Sequence, residues 1–156
     1  MDENKIEIIA FSDEHKDAIK TLNYEWLEKY FRVEQGDRES LSNPREHIID
    51  KGGFIFYATL NDEIVGTASL LKKNDGVFEL GKMAVSEKAR GYGIGTILLE
   101  HCLEVAKQEE IKTLILYSNT QLESAIHLYR KYGFYEIEME GGLYERADIK
   151  MEKQIL

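Results

Sequence analysis

The sequence is poor in residues that cross-link or interrupt a chain. Its 156 residues include one cysteine, Cys102, and one proline, Pro44. A single thiol excludes an internal disulfide framework and a cysteine-based zinc cluster. No apolar run approaches the ~20 residues that span a bilayer, so we expect no transmembrane helix and no membrane partner. The acidic first residues lack the basic and apolar regions of a secretory signal, and we therefore expect a cytoplasmic protein.

Positive charge is also scarce. Lys and Arg number 20 against 29 Asp and Glu, which gives a formal net charge of −9. Affinity for nucleic acid depends on Lys and Arg that neutralise phosphates, and no dense basic run occurs here, so we expect no nucleic-acid partner. The acidity serves solubility. A second interpretation is that part of this negative field attracts a cationic substrate.

The composition is that of one folded domain. Hydrophobic residues make up 43% and charged residues 31% of the chain, and no Gly-, Ser- or Pro-rich linker divides it. The length fits a single domain over residues 1–156.

Hydrophobic periodicity predicts a mixed α/β sheet. The apolar runs of the first half are separated by short turns, which favours an antiparallel meander. Residues 35–43 are polar and are predicted to form a loop. The predicted strands are 5–11, 54–60, 63–71, 77–85, 113–117, 134–139 and 147–155, and the predicted helices are 12–30, 44–49, 97–108 and 122–132.

The glycine loop, RGYGIGT at residues 90–96, joins a predicted strand to a predicted helix. Glycines let backbone N–H groups converge on one ligand. A helix N-terminus adds partial positive charge, so such a site holds phosphate, and Arg90 can add a charge-assisted bond. The loop fits neither the dinucleotide G-x-G-x-x-G pattern nor the Walker pattern. A plain tight turn is the alternative interpretation.

Three segments carry a combined signature: MAV at residues 83–85, the glycine loop, and, after Ala125, LYRKYGF at residues 128–134. Together they resemble the GNAT superfamily of acyl-CoA-dependent N-acyltransferases over roughly residues 63–134. The resemblance implies an α/β fold with a mixed, mainly antiparallel central sheet flanked by helices. It also implies that the fourth strand and the strand at 113–117 splay apart to form a CoA cleft.

The resemblance implies a binding site for acetyl-CoA as the acyl donor. Backbone groups of residues 83–85 would bond the pantetheine, and N–H groups of the glycine loop would hold the pyrophosphate. The sequence departs from the family at Leu122, where many members carry a pantetheine-binding Asn, and Asn119 is the expected substitute. The expected donor-binding residues are Met83, Ala84, Val85, Arg90, Gly91, Tyr92, Gly93, Ile94, Gly95, Thr96 and Asn119.

Acyl transfer from a thioester to an amine needs two proton transfers. The amine, whose pKa is ordinarily ~10.4, must lose a proton, and the thiolate leaving group benefits from a proton donor. Glu79 interrupts an apolar strand and, in strict alternation, shares a face with Gly81 and Met83. It lies four residues before Met83, which is the spacing of the family's base. The alternative is a solvent-facing glutamate, or one paired with Lys72 or Lys82.

Tyr129 occupies the position at which the resemblance implies a hydroxyl near the CoA sulfur, and it is the candidate acid. The alternative is a core aromatic, and both roles are compatible because a tyrosine can bury its ring and present its hydroxyl. No His has partners that suggest a metal site, His127 is expected to face away from the site, and Cys102 is expected in the core.

The resemblance also places the amine acceptor under residues 31–43 and 140–147. Phe31, Tyr144 and Glu145 are the candidate acceptor residues. Trp26 and Tyr30 could join them, although their i, i+4 spacing favours a role in the helix core. Counter-charges from Glu34, Asp37 or Glu145 would suit a cationic amine.

These observations predict an acetyl-CoA-dependent N-acetyltransferase that acts on a primary amine by direct attack in a ternary complex. The acceptor is a small-molecule or protein amine, no metal is expected, and a homodimer is possible. The alternatives are a non-catalytic acyl-CoA-binding sensor or regulatory module and a nucleotide-binding domain of another class.

Overall fold

The computed structural model describes residues 4–140 and 144–156. Within these residues, one seven-stranded sheet has the strand order β1-β2-β3-β4-β5-β7-β6. The strands are β1 Ile6–Ala10, β2 Phe54–Leu60, β3 Glu63–Asn74, β4 Val77–Val85, β5 Thr113–Ser118, β6 Tyr135–Ile137 and β7 Ile149–Gln154. The helices are α1 Ala18–Tyr30, α2 Gln35–Ser42, α3 Ile94–Gln108 and α4 Glu123–Lys131. No helix of the described residues is both long and apolar enough to cross a bilayer.

Strands β1 to β4 form the predicted antiparallel meander. The turn between β2 and β3 places Asn61 and Asp62 in the left-handed region, at φ 50° and 69°. Two consecutive residues with positive φ match the twist of a tight hairpin, and Asn and Asp tolerate that conformation. The chain then crosses through α3, so β5 runs parallel to β4. The mixed, mainly antiparallel sheet is therefore confirmed.

The two central strands separate towards one end of the sheet. Strand β4 pairs with β5 only where Val77–Glu79 faces Thr113–Ile115, although β4 continues to Val85 and β5 to Ser118. On its other side β5 stays paired with β7 over its whole length. The separation opens a cleft beyond Glu79, as the predicted splayed strand pair requires.

Alternating side chains of the sheet form two cores. On one face Leu98, Leu99 and Cys102 of α3 pack with strand residues such as Leu70 and Leu114. On the other face α1 and α2 contribute Ile19, Leu27 and Leu41, which pack with Ile55 and Tyr57. Cys102 is fully buried and its burial raises the pKa of the thiol to about 12, so the predicted core role is confirmed.

The predicted loop at residues 35–43 was wrong, because Gln35–Ser42 is helix α2. The side chain of Asp37 accepts a 3.0 Å hydrogen bond from the backbone N–H of Glu34, which satisfies a donor at the start of the helix. Hydrophobic periodicity could not reveal this helix, because its only apolar side chain is the buried Leu41.

Three predicted helix boundaries also differ. The segment predicted as one helix from residue 12 is a 3-10 turn at Asp13–His15 followed by α1, and residues Arg45–Ile49 form a short π-helical turn. Helix α3 starts at Ile94, inside the glycine loop, rather than at residue 97. The sequence hid that start because Gly95 has low helix propensity.

A bulge in β4 corrects the predicted face of that strand. The pairing register with β3 shifts between Thr67 opposite Ala84 and Ser69 opposite Gly81, and Lys82 has a left-handed φ of 51°. A bulge adds one residue and re-aims the side chains that follow. Met83 and Val85 consequently pack on the α3 face, whereas Glu79 and Gly81 lie on the other.

Candidate active site

A cavity of about 430 Å³ occupies the opening between β4 and β5. We call it the cleft. Following the expectations from the sequence, we call the part bounded by the end of β4, the start of α3 and one side of α4 the donor half. The part under α1 we call the acceptor half. The donor half is lined by Met83, Ala84, Val85, Gly95, Leu122, Ser124, Ala125, Leu128 and Tyr129; the acceptor half by Asn23, Trp26, Phe31, Asp37, Glu79, Lys82, Tyr117, Tyr144 and Arg146.

A second cavity of about 410 Å³ surrounds the glycine loop. It shares Val85, Gly95 and Leu128 with the cleft, so the two cavities are adjacent. Gly91 and Gly93 have φ of 89° and 74°, which glycine adopts without strain. The N–H groups that open α3 have no acceptor within the helix and are free to bind an anion. The backbone around the loop is thus suited to a diphosphate.

Cationic side chains surround this loop cavity. Arg90 is exposed and lies beside the Tyr30 hydroxyl, whose pKa it lowers. Helix α4 contributes Ser124, His127 and Lys131 to the wall. His127 therefore borders the site, whereas the sequence analysis expected it to face away. The i, i+3, i+7 spacing of these three polar residues was the signal that could have identified this face.

Two residues of the predicted donor site are limited to backbone contacts. The side chain of Ile94 is 2% exposed and belongs to the core on the α3 face. Tyr92 is 40% exposed and does not line either described cavity. Thr96 and the glycines do line the loop cavity. Tyr92 and Ile94 could therefore contact the predicted pyrophosphate only through their backbone N–H groups.

Asn119 borders the cleft, but its side chain already has partners. It donates a 2.7 Å hydrogen bond to the backbone carbonyl of Arg146 and accepts a 2.8 Å bond from the N–H of Gln121. These bonds join the end of β5 to the segment before β7. The predicted pantetheine contact would therefore have to use a side chain whose hydrogen bonds already stabilise the cleft wall.

Glu79 lines the acceptor half and is 2% exposed. Lys73 Nζ lies 3.0 Å from Oε1, so the ion partner is neither Lys72 nor Lys82. That contact lacks hydrogen-bond geometry, and Oε1 has no hydrogen-bond partner among the described residues. A Cβ at Gly81 would stand 3.0 Å from Oε2, so the glycine leaves space for the carboxylate. A buried carboxylate on a cavity wall is costly even beside a cation, which makes this one a functional candidate.

Tyr129 faces the cleft from α4. Its half-buried ring packs edge-on against Phe134 at 5.9 Å between centroids. Burial, with a smaller contribution from Cys102, raises the pKa of the hydroxyl to about 12. The group is therefore protonated and able to donate a hydrogen bond at neutral pH. The packing role and the cleft-facing role coexist in this residue.

A buried ionic network closes the acceptor half. Arg146 donates to both oxygens of Asp37, at 2.8 and 3.0 Å, and to Glu34 at 3.0 Å. Lys82 Nζ donates to Asp37 at 3.3 Å and to the Tyr144 hydroxyl at 3.1 Å. Burial alone would raise the pKa of Asp37, but the hydrogen bonds from Arg146 and the Glu34 N–H hold it below its usual range.

This network corrects the expected counter-charges. Asp37 and Glu34 are neutralised by cations of the protein itself. Glu145 is exposed and pairs with Arg32, because its neighbour Arg146 takes the inward position. The roles of Lys82 and Arg146 were not apparent from the sequence. Arg146 lies 109 residues from Asp37 and 112 residues from Glu34 in the sequence, and no local pattern indicates such a pairing.

Aromatic rings form the rest of the acceptor wall. Phe31 and Tyr144 line it as predicted, together with Trp26 and Tyr117. The Arg146 guanidinium lies 4.5 Å from the Tyr144 ring centroid and 5.7 Å from that of Trp26. Tyr30 is 46% exposed, so its predicted core role was wrong. Among the described residues, no group of three or more His, Cys, Asp or Glu could hold a metal ion.

Comparison with known proteins decides the family. The sequence profile of the acetyltransferase (GNAT) family matches residues 20–134. The chain belongs to the GNAT acetyltransferase family. The predicted resemblance is thereby confirmed, and acetyl-CoA is the acyl donor of this family.

Individual relatives are distant. Streptothricin acetyltransferase A of Bacillus subtilis (strain 168) is 29% identical over 105 residues, and the match spans 67% of this chain but 58% of that relative. A GNAT-family acetyltransferase from Staphylococcus aureus Mu50 superposes with a TM-score of 0.87 at 21% identity, over 97% of this chain and 100% of that one. PaiA N-acetyltransferase from Thermoplasma acidophilum, solved with coenzyme A, gives 0.75 at 21% identity, over 96% and 99%. These structural matches establish the fold.

Proposed function

We propose that this GNAT acetyltransferase transfers an acetyl group from acetyl-CoA to a primary amine by direct attack in a ternary complex. One observation carries the proposal. One cleft, which shares lining residues with the glycine-loop cavity, is lined by the buried carboxylate of Glu79 and by Tyr129. The family membership and the streptothricin acetyltransferase relative support the choice of an amine acceptor.

The donor half suits coenzyme A in shape and charge. The N–H groups of residues 91–96 would hold the diphosphate, with Arg90, His127 and Lys131 at the rim. The backbone of residues 83–85, unpaired with β5, would bond the pantetheine amides. The thioester would then lie past Met83, between Glu79 and Tyr129.

Glu79 would accept the proton of the attacking amine, directly or through one water. An alkyl ammonium is almost wholly protonated at neutral pH and cannot attack until it loses that proton. Oε1 is buried against Lys73 Nζ at 3.0 Å, so Oε2 would be the oxygen that meets a donor in the cleft. The ammonium of Lys73 supplies the positive charge that pairs with this buried carboxylate.

Tyr129 would stabilise the thiolate by donating a hydrogen bond to sulfur. Its pKa of about 12 exceeds the ~8.5 typical of a thiol, so complete proton transfer to the thiolate is unfavourable. A hydrogen bond to a charged acceptor needs no such transfer and is strong in a dry site. The structure therefore favours the sulfur-contact role over that of a full acid.

The deciding experiment is thiol release from acetyl-CoA across an amine library, with calorimetric titration of CoA, ATP and NAD. We expect turnover of some amines. We also expect the protein to bind CoA but neither ATP nor NAD. Glu79→Gln should lower kcat/KM about 10²- to 10⁴-fold and remove the acid limb of its pH profile, while CoA affinity is unchanged.

The matched control is Glu63→Gln, which removes an exposed glutamate of the neighbouring strand β3. CoA binding with no turnover of any amine would favour the non-catalytic sensor. An unchanged pH profile in Glu79→Gln would move the base role to another group. Binding of ATP or NAD in place of CoA would contradict the donor site.

A further inference from the structure

Lys82 stands out as a lysine placed at considerable cost. Its side chain is 5% exposed, and burial lowers the pKa of the ammonium. Its backbone has a left-handed φ of 51°, a conformation that is strained for a non-glycine residue. Asn23 Nδ2 donates to the Lys82 carbonyl at 3.0 Å and secures the bulge. Such strain at a cavity wall points to a functional role.

Neutralisation of Asp37 does not explain this lysine. The Arg146 guanidinium bonds both oxygens of Asp37, and the Glu34 N–H adds a third bond at 3.0 Å. Without Lys82, Asp37 would therefore still pair with Arg146, and both of its carboxylate oxygens would still accept hydrogen bonds. Breaking a buried pair is costly mainly when it leaves a charge unpaired, and that is not the case here.

The ammonium has one hydrogen-bond donor more than it has partners among the described residues. Lysine carries three N–H donors. Asp37 Oδ1 and the Tyr144 hydroxyl accept from two of them, at 3.3 and 3.1 Å. Lys82 lines the cleft together with Glu79, and the carboxylate is near enough to raise the pKa of the ammonium against the larger, lowering effect of burial.

The acceptor half therefore presents an opposite pair of charges on one bulged strand. Glu79, whose Oε1 pairs with Lys73, offers its other carboxylate oxygen, and Lys82 offers an N–H donor. No second free carboxylate of the described wall is available to a diamine, because Glu34 and Asp37 are both bonded to Arg146. This arrangement disfavours the polycationic acceptor suggested by the net charge of the chain.

We propose that the acceptor is an α-amino carbonyl compound, in which Glu79 takes the amine and Lys82 donates a hydrogen bond to the neighbouring carbonyl or carboxylate oxygen. The inference rests on the proposed function and names its substrate class. Trp26, Phe31, Tyr117 and Tyr144 provide an apolar wall for the side chain of such a compound. Lys82 is then a specificity-determining residue.

The test compares phenylalaninamide, phenylalanine and phenethylamine, which differ only in the group next to the amine. Wild type should use the amide or the acid with kcat/KM about ten- to a hundredfold above phenethylamine. The amide and the free acid distinguish a carbonyl from a carboxylate as the recognised group. Cadaverine and spermidine should be poorer than either.

Lys82→Met should reduce the preference for phenylalaninamide over phenethylamine to about one, because no donor is left to read the carbonyl. Lys82→Gln, which retains a donor, should restore part of it. Lys72→Met removes an exposed lysine of β3 and should leave the preference unchanged.

Turnover of phenethylamine as fast as phenylalaninamide by wild type would overturn the inference while leaving the proposed N-acetyltransferase function in place. A polyamine used better than both would do the same, as would an undiminished preference in a folded Lys82→Met. Wild type decides the first two outcomes, so they hold even if the variant does not fold. Absence of turnover with every amine would remove the proposed function itself.

Discussion

Glu79 was selected as a candidate from the sequence, and its surroundings became known only from the structure. A carboxylate inside an apolar strand is unusual unless it faces water or a site, and that reasoning selected it from the sequence alone. The structure adds that the carboxylate is buried, lies on the cleft and has Lys73 as its ion partner. The partner was not predictable, because Lys72 and Lys73 differ only in which face of β3 they occupy.

The role of Tyr129 leads to a prediction at the same scale. Tyr129→Phe keeps the ring that packs on Phe134 and removes only the hydroxyl. We expect kcat to fall about ten- to a hundredfold, since one hydrogen bond to a charged thiolate is lost, with the Kd for acetyl-CoA within about twofold of wild type. Steady-state kinetics and calorimetry measure the two quantities.

Tyr135→Phe is the control for this change. Tyr135 is 45% exposed on β6, and its hydroxyl bonds Glu152 away from the cleft. The control should match wild type in both measurements. Equal losses of kcat and acetyl-CoA affinity in Tyr129→Phe would make Tyr129 a binding residue and refute its contact with the leaving group.

At the scale of elements, the bulge in β4 organises the cleft. It places Lys82 at the acceptor wall beside Glu79 and turns Met83 and Val85 towards α3. Helix α1 maintains it through Asn23, which also bonds the Ile19 carbonyl and accepts from Trp26 Nε1 at 3.1 Å. One buried amide thus connects the first helix, the bulge and an aromatic of the acceptor wall.

Asn23→Ala should therefore destabilise the fold and disturb the acceptor half together. The Lys82 carbonyl would lose its partner in a buried place, which costs about 1–3 kcal/mol. We expect that loss in the free energy of urea unfolding and a rise in KM for the amine larger than any rise for acetyl-CoA. Chemical denaturation and bisubstrate kinetics measure both effects.

Thr21→Ala provides the comparison on the same helix. Thr21 is exposed, and its hydroxyl bonds only the Asp17 carbonyl one turn earlier. Its stability should stay within about 0.5 kcal/mol of wild type. An Asn23→Ala protein with unchanged amine KM would show that the bulge persists without its amide and would refute the positioning role of Asn23.

At the scale of the whole molecule, the ionic network joins parts that are distant in sequence. Glu34 and Asp37 at the start of α2, Lys82 in β4, and Tyr144 with Arg146 before β7 meet at the acceptor half. The homodimer expected as possible from the sequence stays a prediction. Sedimentation equilibrium can test it.

The network predicts a dependence of stability on pH. The pKa of Asp37 is lowered in the folded state, so its stabilising contribution is complete above the unfolded value of ~3.9 and is lost as pH falls through the lowered value. Asp37→Asn leaves Lys82 without its ion-pair partner and Arg146 with Glu34 alone, and it should cost about 3–5 kcal/mol at pH 7. The gap from wild type should shrink below pH ~4, as urea midpoints against pH would show.

Glu39→Gln, an exposed change on the same helix, should follow the wild-type curve throughout. Lys82 changes stability in the same direction with pH as Asp37 does, but in a higher pH range. Burial lowers the pKa of its ammonium, so the folded state gains relative stability as pH rises from that lowered value towards ~10.4. An Asp37→Asn curve that runs parallel to wild type through the acid range would contradict the assigned depression of the Asp37 pKa.

The sequence by itself determined the strands of the meander, the glycine loop, the family resemblance and the candidacy of Glu79 and Tyr129. These features rest on local signals: apolar runs, turn residues and fixed motif spacing. Only the tertiary structure decided that α2 is a helix, that β4 bulges at Lys82, and that Arg146 and Lys82 occupy the acceptor wall. Each of these depends on contacts between residues far apart in the chain, because burial and charge pairing are settled when the elements pack and leave no periodic mark on the sequence.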